Sequence, residues 1–294
     1  MTKKTNQPSN DDKLIFYDIM GYPVPQQREY FVCSEEKTQG IEIDKEVNQI
    51  SRKEKNPLVE EYLRYIEKRQ RLFSLLPFVK TVYLCNSITF NSIHTDSDID
   101  VFIVCKDKTL RRSRFWSVMI FRITGLKRSI RNKKKKFCLS FYVTENHQNL
   151  YNISLPKTDI YLAYWIAHLV PIYEETAGNA DIYKHNTRIQ SLLPNISTQQ
   201  NIFLNIPCIS GNSKFKKILE FMQKGRWGKF IEYCIETIWL PIIIYKIKKL
   251  DHQGQDIIVN NFMLKFYADK RKKISLLYKI RRDKVLSQKS KDNI

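Results

Sequence analysis

Two carboxylates two positions apart, Asp98 and Asp100, enter the apolar run Ile99-Asp100-Val101-Phe102-Ile103-Val104. The side chains of a strand alternate faces, so a strand over this run turns both acids the same way. Like charges sharing a face are costly unless cations neutralise them, and hard oxygen ligands with open positions suit Mg²⁺. Upstream, Val82-Tyr83-Leu84-Cys85 has the composition of another strand, and Asn86-Ser87 falls where that strand would break into a short helix. Free N–H groups at a helix start attract phosphate, and a serine hydroxyl adds a donor, although the same hydroxyl equally serves ordinary helix capping. Phosphate donors thus precede the metal carboxylates in the chain.

This order resembles the signature of the nucleotidyltransferases of the DNA polymerase β-like superfamily, its minimal members included: a strand, Gly-Ser or a variant, a spacer, then Asp-x-Asp between apolar residues. Asn86-Ser87 and Asp98-Ile99-Asp100 take those places, and Asp96-Ser97 completes an Asp-Ser-Asp-Ile-Asp form. The resemblance implies that Asp98 and Asp100 are catalytic and bind Mg²⁺ or Mn²⁺ at a nucleoside triphosphate, with Asn86, Ser87 and Ser97 contacting the nucleotide or its phosphates. It also implies transfer of a nucleoside monophosphate to an acceptor hydroxyl on a protein, an RNA such as tRNA, or a small molecule. The signature and its supporting elements cover about a third of the chain, on the usual size of such modules. Cys138-Leu139-Ser140 and Leu264-Lys265-Phe266 are similar to stretches of uncharacterised bacterial members, which extends the resemblance over most of the chain.

Two departures accompany it. Asn86 stands where the family has glycine, the residue that lets a backbone approach a pyrophosphate closely. The family's third carboxylate, a base or metal ligand on a later strand, has no acidic counterpart in Phe137-Cys138-Leu139-Ser140-Phe141-Tyr142-Val143. Ser140 or Cys138 holds that place, and Glu145 is the nearest carboxylate; Glu145, Asp96, a water or the substrate would have to fill the role. The alternative is a catalytically degenerate protein of this fold that binds nucleotide or nucleic acid through its basic surface.

Apolar residues at helical spacing, Leu58, Tyr62, Tyr65, Ile66, Leu72 and Leu75, predict a helix from Pro57 to about Leu76, stopped by Pro77. Between Lys106 and Lys136 stand thirteen lysines and arginines against one acid, Asp107. That segment predicts a basic helix from Thr109 to Thr124, a turn at Gly125 and a lysine-rich loop, Lys133 to Lys136, leading to the third strand. It suits contact with phosphates, or equally a solvated cationic face. Thr158 is placed to cap a helix through Val170, ended by Pro171, with Tyr161, Tyr164, Trp165 and His168 along one side. Core packing, base stacking and a general-base role for His168 are the alternatives there. Further helices are expected over Asp181–Leu193 and over Ser213–Lys249, the latter interrupted near Gly225 and Gly228 with Arg226-Trp227 as an exposed turn. The segment Leu14 to Pro23 is at best a remnant of a winged helix.

A chain of 294 residues with 43% hydrophobic composition can build a sizeable core, and a net charge of +20 favours polyanionic partners. The six cysteines show no zinc-ligand spacing, and Cys85, Cys105 and Cys138 lie on or beside predicted strands, which fits buried thiols in a reducing cytoplasm. The N-terminus lacks the apolar stretch of a secretory signal, so a cytoplasmic location is expected. The longest apolar run, Ile238 to Tyr245, falls short of the ~20 residues that span a bilayer, so no stable membrane insertion is expected. Flanked by Lys246, Lys248 and Lys249, it has the makings of an interfacial segment, but the expectation is a core helix bent at Pro241. The expected fold class is α/β (α+β): a small mixed-sheet nucleotidyltransferase core over residues 57–150, preceded by a tail and short ordered segment (1–56) and followed by a mostly helical C-terminal domain (151–294).

Overall fold

Strand β1 (Val79–Leu84) is buried at every position except Lys80, as befits the centre of a sheet covered on both faces. It pairs antiparallel with β2 (Ile99–Cys105), Leu84 opposite Val101 and Tyr83 opposite Phe102. Strand β3 (Phe137–Thr144) lies parallel to β2, so the chain must cross over between them; helix α1 (Pro57–Glu67) leads into the sheet and helix α2 (Leu110–Ile123) makes that crossover. In this computed structural model residues 15–17, 19–20, 56–129, 131–155, 159–178, 180, 182–189, 204–250, 257–266 and 271–292 are described.

Helix α1 (Pro57–Glu67) starts with the Asn56 side chain accepting from the Leu58 amide at 3.1 Å and with proline in its first turn, where a missing N–H costs nothing. Val59, Tyr62 and Ile66 face the core. The helix expected to reach Leu76 instead tightens into a separate 3₁₀ segment, Gln70–Leu75. Helix α2 (Leu110–Ile123) stops at Gly125, whose φ of 68° needs a residue without Cβ strain. Helix α3 (Ile160–Ala167) is capped by Asp159, whose Oδ1 accepts from Leu162 N at 3.0 Å, while Thr158 lies outside the described residues.

The sheet continues on both sides of these three strands. Its order is β5-β4-β1-β2-β3-β7-β6, with β4 (Val170–Glu174), β5 (Ile209–Ser210), β6 (Ile258–Val259) and β7 (Met263–Lys265) all contributed from beyond residue 150. The boundary expected there therefore runs through one hydrogen-bonded sheet. Pro171 does not end a helix: it lies inside β4, opposite Tyr83, where the β1–β4 register shifts and the missing N–H is tolerated. The fold is thus mixed α/β around a seven-stranded mixed sheet. The described residues 182–189 of the helix expected over Asp181–Leu193 are mostly turns.

Residues of one sheet face, among them Val82, Leu84, Val101, Ile103 and Tyr142, pack with α1 and α2. The other face sets Tyr83, Phe102, Phe141 and Val143 against α3 and the helical residues Phe16 and Tyr17. These two are all that is described around the proposed winged-helix remnant apart from Ile15, Ile19 and Met20. After β5 come α4 (Lys214–Met222), α5 (Gly225–Cys234), a π-helical turn (Ile235–Trp239) and α6 (Leu240–Leu250). Gly228 lies within α5, so Arg226 and Trp227 belong to a helix and not to a turn. Helix α7 (Arg271–Asp292) is tied to α3 by a buried ion pair, Arg271 Nη1 to Asp159 Oδ2 at 2.8 Å. Among the described residues no helix is long and apolar enough to cross a membrane.

Candidate metal centre

The site forms where β1 ends and β2 and β3 begin. Pairing brings Asp100 opposite Cys138 on the parallel strand, and the next matched pair is Phe102 with Phe141. Alternation places Asp100 on the same sheet face as Phe102, the face that α3 covers. Ligand atoms of Asp98, Asp100 and Cys138 lie within 4.8 Å of one another. Both acids are half-buried and Cys138 is buried.

Asn86 follows β1 with φ 60°, the left-handed conformation glycine would take and that asparagine adopts more readily than most residues. Asparagine therefore keeps this turn and adds a side chain that bonds across to α3. Its Oδ1 accepts from Trp165 Nε1 at 2.7 Å, and its side chain works to lower the pKa of the Asp100 carboxyl. Trp165 itself is held edge-on to Phe102 and stacked on Phe141, so α3 fixes Asn86 at the edge of the site.

Charge at the site is only partly balanced. Arg128 Nε sits 2.9 Å from Asp98 Oδ2, yet that buried oxygen has no aligned hydrogen bond. Arg128 is positioned by its amide on the Phe137 carbonyl at 3.0 Å, and its Nη1 reaches Cys138 Sγ at 3.4 Å. Burial, then the neighbouring Asp98 charge, raises Asp100 to about 6, against the lowering effect of Asn86, Cys138 and Arg128. One guanidinium thus falls short of compensating two acids. Cys138 shares a hydrogen bond with Ser140 Oγ at 3.3 Å, and burial pushes its thiol up to about 12. Two carboxylates facing a single guanidinium fit a hard divalent cation. The thiol is a soft donor and departs from an all-oxygen set.

The other residues expected at the site are placed differently. Ser87 lies in a single turn, Asn86–Ile88, with its carbonyl accepting from Ser92 N at 2.9 Å; this turn is too short to gather a helix dipole. Ser97 closes the loop before β2: its Oγ accepts from His94 N at 2.9 Å and its carbonyl from Tyr62 OH at 2.9 Å. Asp96 is exposed. Ser140 stands beyond Cys138 as its hydrogen-bond partner, so the rung beside Asp100 belongs to Cys138. Glu145 is not brought to the centre. It follows the far end of β3, where it pairs with Lys80 Nζ at 2.5 Å and accepts from Asp107 N. His168 is buried against Phe90 with its ring nitrogen 2.8 Å from the Tyr164 carbonyl, and burial lowers it to about 4, so it serves the core. Sequence reasoning missed Arg128, one of thirteen cations in its segment with nothing local to distinguish it.

No family model, curated protein or solved structure matches the chain.

Proposed function

We propose that the chain is a metal-dependent nucleotidyltransferase of the DNA polymerase β-like type, moving a nucleoside monophosphate from a nucleoside triphosphate to an acceptor hydroxyl. The observation that carries this reading is the convergence of Asn86, Asp98, Asp100 and Cys138 where β1, β2 and β3 meet, with ligand atoms of the last three within 4.8 Å. The parts follow the order of the signature: strand, Asn-Ser turn, two acids on the antiparallel partner, and a ligand-bearing residue on a parallel third strand.

Asp98 and Asp100 would hold Mg²⁺ or Mn²⁺, which neutralises phosphate charge and orients the groups for in-line displacement. The protein's own residues frame those acids. Trp165 orients Asn86 at the edge of the site, and Ser140 bonds Cys138 on the rung beside Asp100. Arg128, with Lys127 beside it, offers positive charge to triphosphate oxygens. The basic segment from Lys106 to Lys136 suits an RNA, tRNA included, or an acidic protein surface as acceptor.

A second reading has one contact in its favour. Arg128 already stands against Asp98, as a cation would in a degenerate centre that binds nucleotide or nucleic acid without turnover. The two are separated by transfer of label from nucleoside triphosphates carrying it at the α-phosphate to acceptors in cell extract, with Mg²⁺ or Mn²⁺. Transfer by the wild type that is lost in the Asp98→Asn/Asp100→Asn double variant supports the enzyme. Undiminished transfer by that variant overturns it, and binding that ignores chelators but falls steeply with salt supports the degenerate protein.

A further inference from the structure

Helix α5, the π turn and α6 follow one another without a break from Gly225 to Leu250. On the inner side Ile235 and Leu240 are buried, and Trp239, Ile243 and Ile244 pack against the core. On the outer side Trp227, Phe230, Tyr233, Ile238, Ile242 and Tyr245 are 47% to 70% exposed. Their spacing is three or four residues except between Tyr233 and Ile238, where it is five. That step crosses the π turn, in which Leu240 N bonds Ile235 O, and the wider turn absorbs the extra residue. The stripe therefore stays in line over about 27 Å, at 1.5 Å per residue.

Charge is sorted around this stripe. Lys224, Arg226 and Lys229 are exposed beside it. Of the acids in this segment, Glu232 is half-buried against Arg112, and Glu236, although exposed, is paired with Arg111. Among the described residues the exposed cations Lys224, Arg226 and Lys229 have no acidic partner, whereas the one exposed acid of the segment, Glu236, is neutralised by Arg111. Aromatic residues with a lysine and arginine fringe suit the headgroup region of a bilayer, and a helix buried on one side can lie in that plane without crossing it.

We propose that this stripe is a docking surface for an anionic lipid bilayer, on which the protein rests through the outer side of α5 and α6. A second copy of the chain is disfavoured as occupant, because it would bring the same cations face to face in a protein of net charge +20. The surface is independent of the metal centre and stands whether or not transfer occurs there.

The full-length protein is sedimented with vesicles of phosphatidylcholine alone or with phosphatidylglycerol added, at low and high salt. Sedimentation with the anionic vesicles, weakened by salt, is expected. Partitioning should drop by about tenfold or more in Trp227→Ser/Phe230→Ser and in Lys224→Glu/Lys229→Glu. All four side chains are exposed, so both variants should melt as the wild type does. A wild type that stays in the supernatant at low salt overturns the proposal, as do variants that sediment undiminished. A lipid-free dimer seen by analytical ultracentrifugation and abolished by Trp227→Ser/Phe230→Ser assigns the stripe to a second copy and overturns it too.

Discussion

Asp100 on β2 and Cys138 on β3 occupy the same rung of a parallel ladder, with the thiol sulfur and a carboxylate oxygen within 4.8 Å. A soft donor therefore stands beside two hard ones, and the preferred ion should reflect it. Wild-type protein is expected to bind Cd²⁺ or Zn²⁺ more tightly than Mg²⁺, with a sulfur-to-cadmium absorption band that Cys138→Ser lacks. Cys138→Asp should raise Mg²⁺ affinity by about tenfold or more, measured by calorimetry. Equal Mg²⁺ affinities in the two proteins would remove Cys138 from the ligand set.

Arg128 competes with any cation for Asp98. In Arg128→Gln, Mn²⁺ should bind more tightly, because the acids lose their only described ion-pair partner and the ion meets no rival. Nucleotide affinity should fall in the same variant, since a charge-assisted contact to phosphate is gone. Calorimetric Mn²⁺ titration and fluorescent-nucleotide binding check the two directions.

Single Asp98→Asn and Asp100→Asn variants should each lose about a hundredfold or more in label transfer, the loss typical of removing a group that organises transition-state charge. Thermal stability should not fall in parallel. Asp100 is raised by burial and by its neighbour, so neutralising either acid relieves repulsion in the folded protein. Melting curves recorded beside the transfer assay separate the two effects.

His168 supplies the pH dependence of the core. Its folded pKa, lowered to about 4 by burial, lies below the ~6.5 of an unfolded histidine, so protons bind the unfolded chain preferentially between those values. The contribution is whole above pH ~6.5 and falls away by roughly 3 kcal/mol as pH drops toward 4. Urea unfolding across that window should show a shallower slope in His168→Asn than in the wild type.

At Gly228 a side chain has nowhere to go. An added Cβ would collide with the Gln223 carbonyl oxygen, which also accepts from Arg112 Nη1 at 3.1 Å. Gly228→Ala should lower stability by about 1 to 3 kcal/mol despite alanine's better helix propensity. A midpoint unchanged or raised in denaturant would show that α5 shifts freely against the turn at Gln223.

The parts legible in the sequence are those set by local pattern. Alternation placed Asp98 and Asp100 at the entry of one strand, and apolar spacing with Gly125 bounded α2 to within a residue at each end. What escaped depends on pairing between distant segments. The strand left Ser140 and Cys138 both open, and only the β2–β3 pairing, with its register shift just after this rung, sets Cys138 opposite Asp100. β4 hid behind Pro171, a helix terminator by local rule that the sheet accommodates at a register shift. β5, β6 and β7 have two or three residues each, too few for alternation to show. Asn86 looked like a loss of backbone freedom, and its φ of 60° with the Trp165 bond converts it into a brace.

The outer edge of β3 is closed by Met263–Lys265, a segment translated long after Phe137–Thr144. A ribosome releasing the protein therefore exposes Phe141, Tyr142 and Val143 on an open hydrogen-bonding rim until the late hairpin arrives. Chains interrupted before residue 257 should aggregate or occupy chaperones, with the cysteine rung assembled but its flank unsealed.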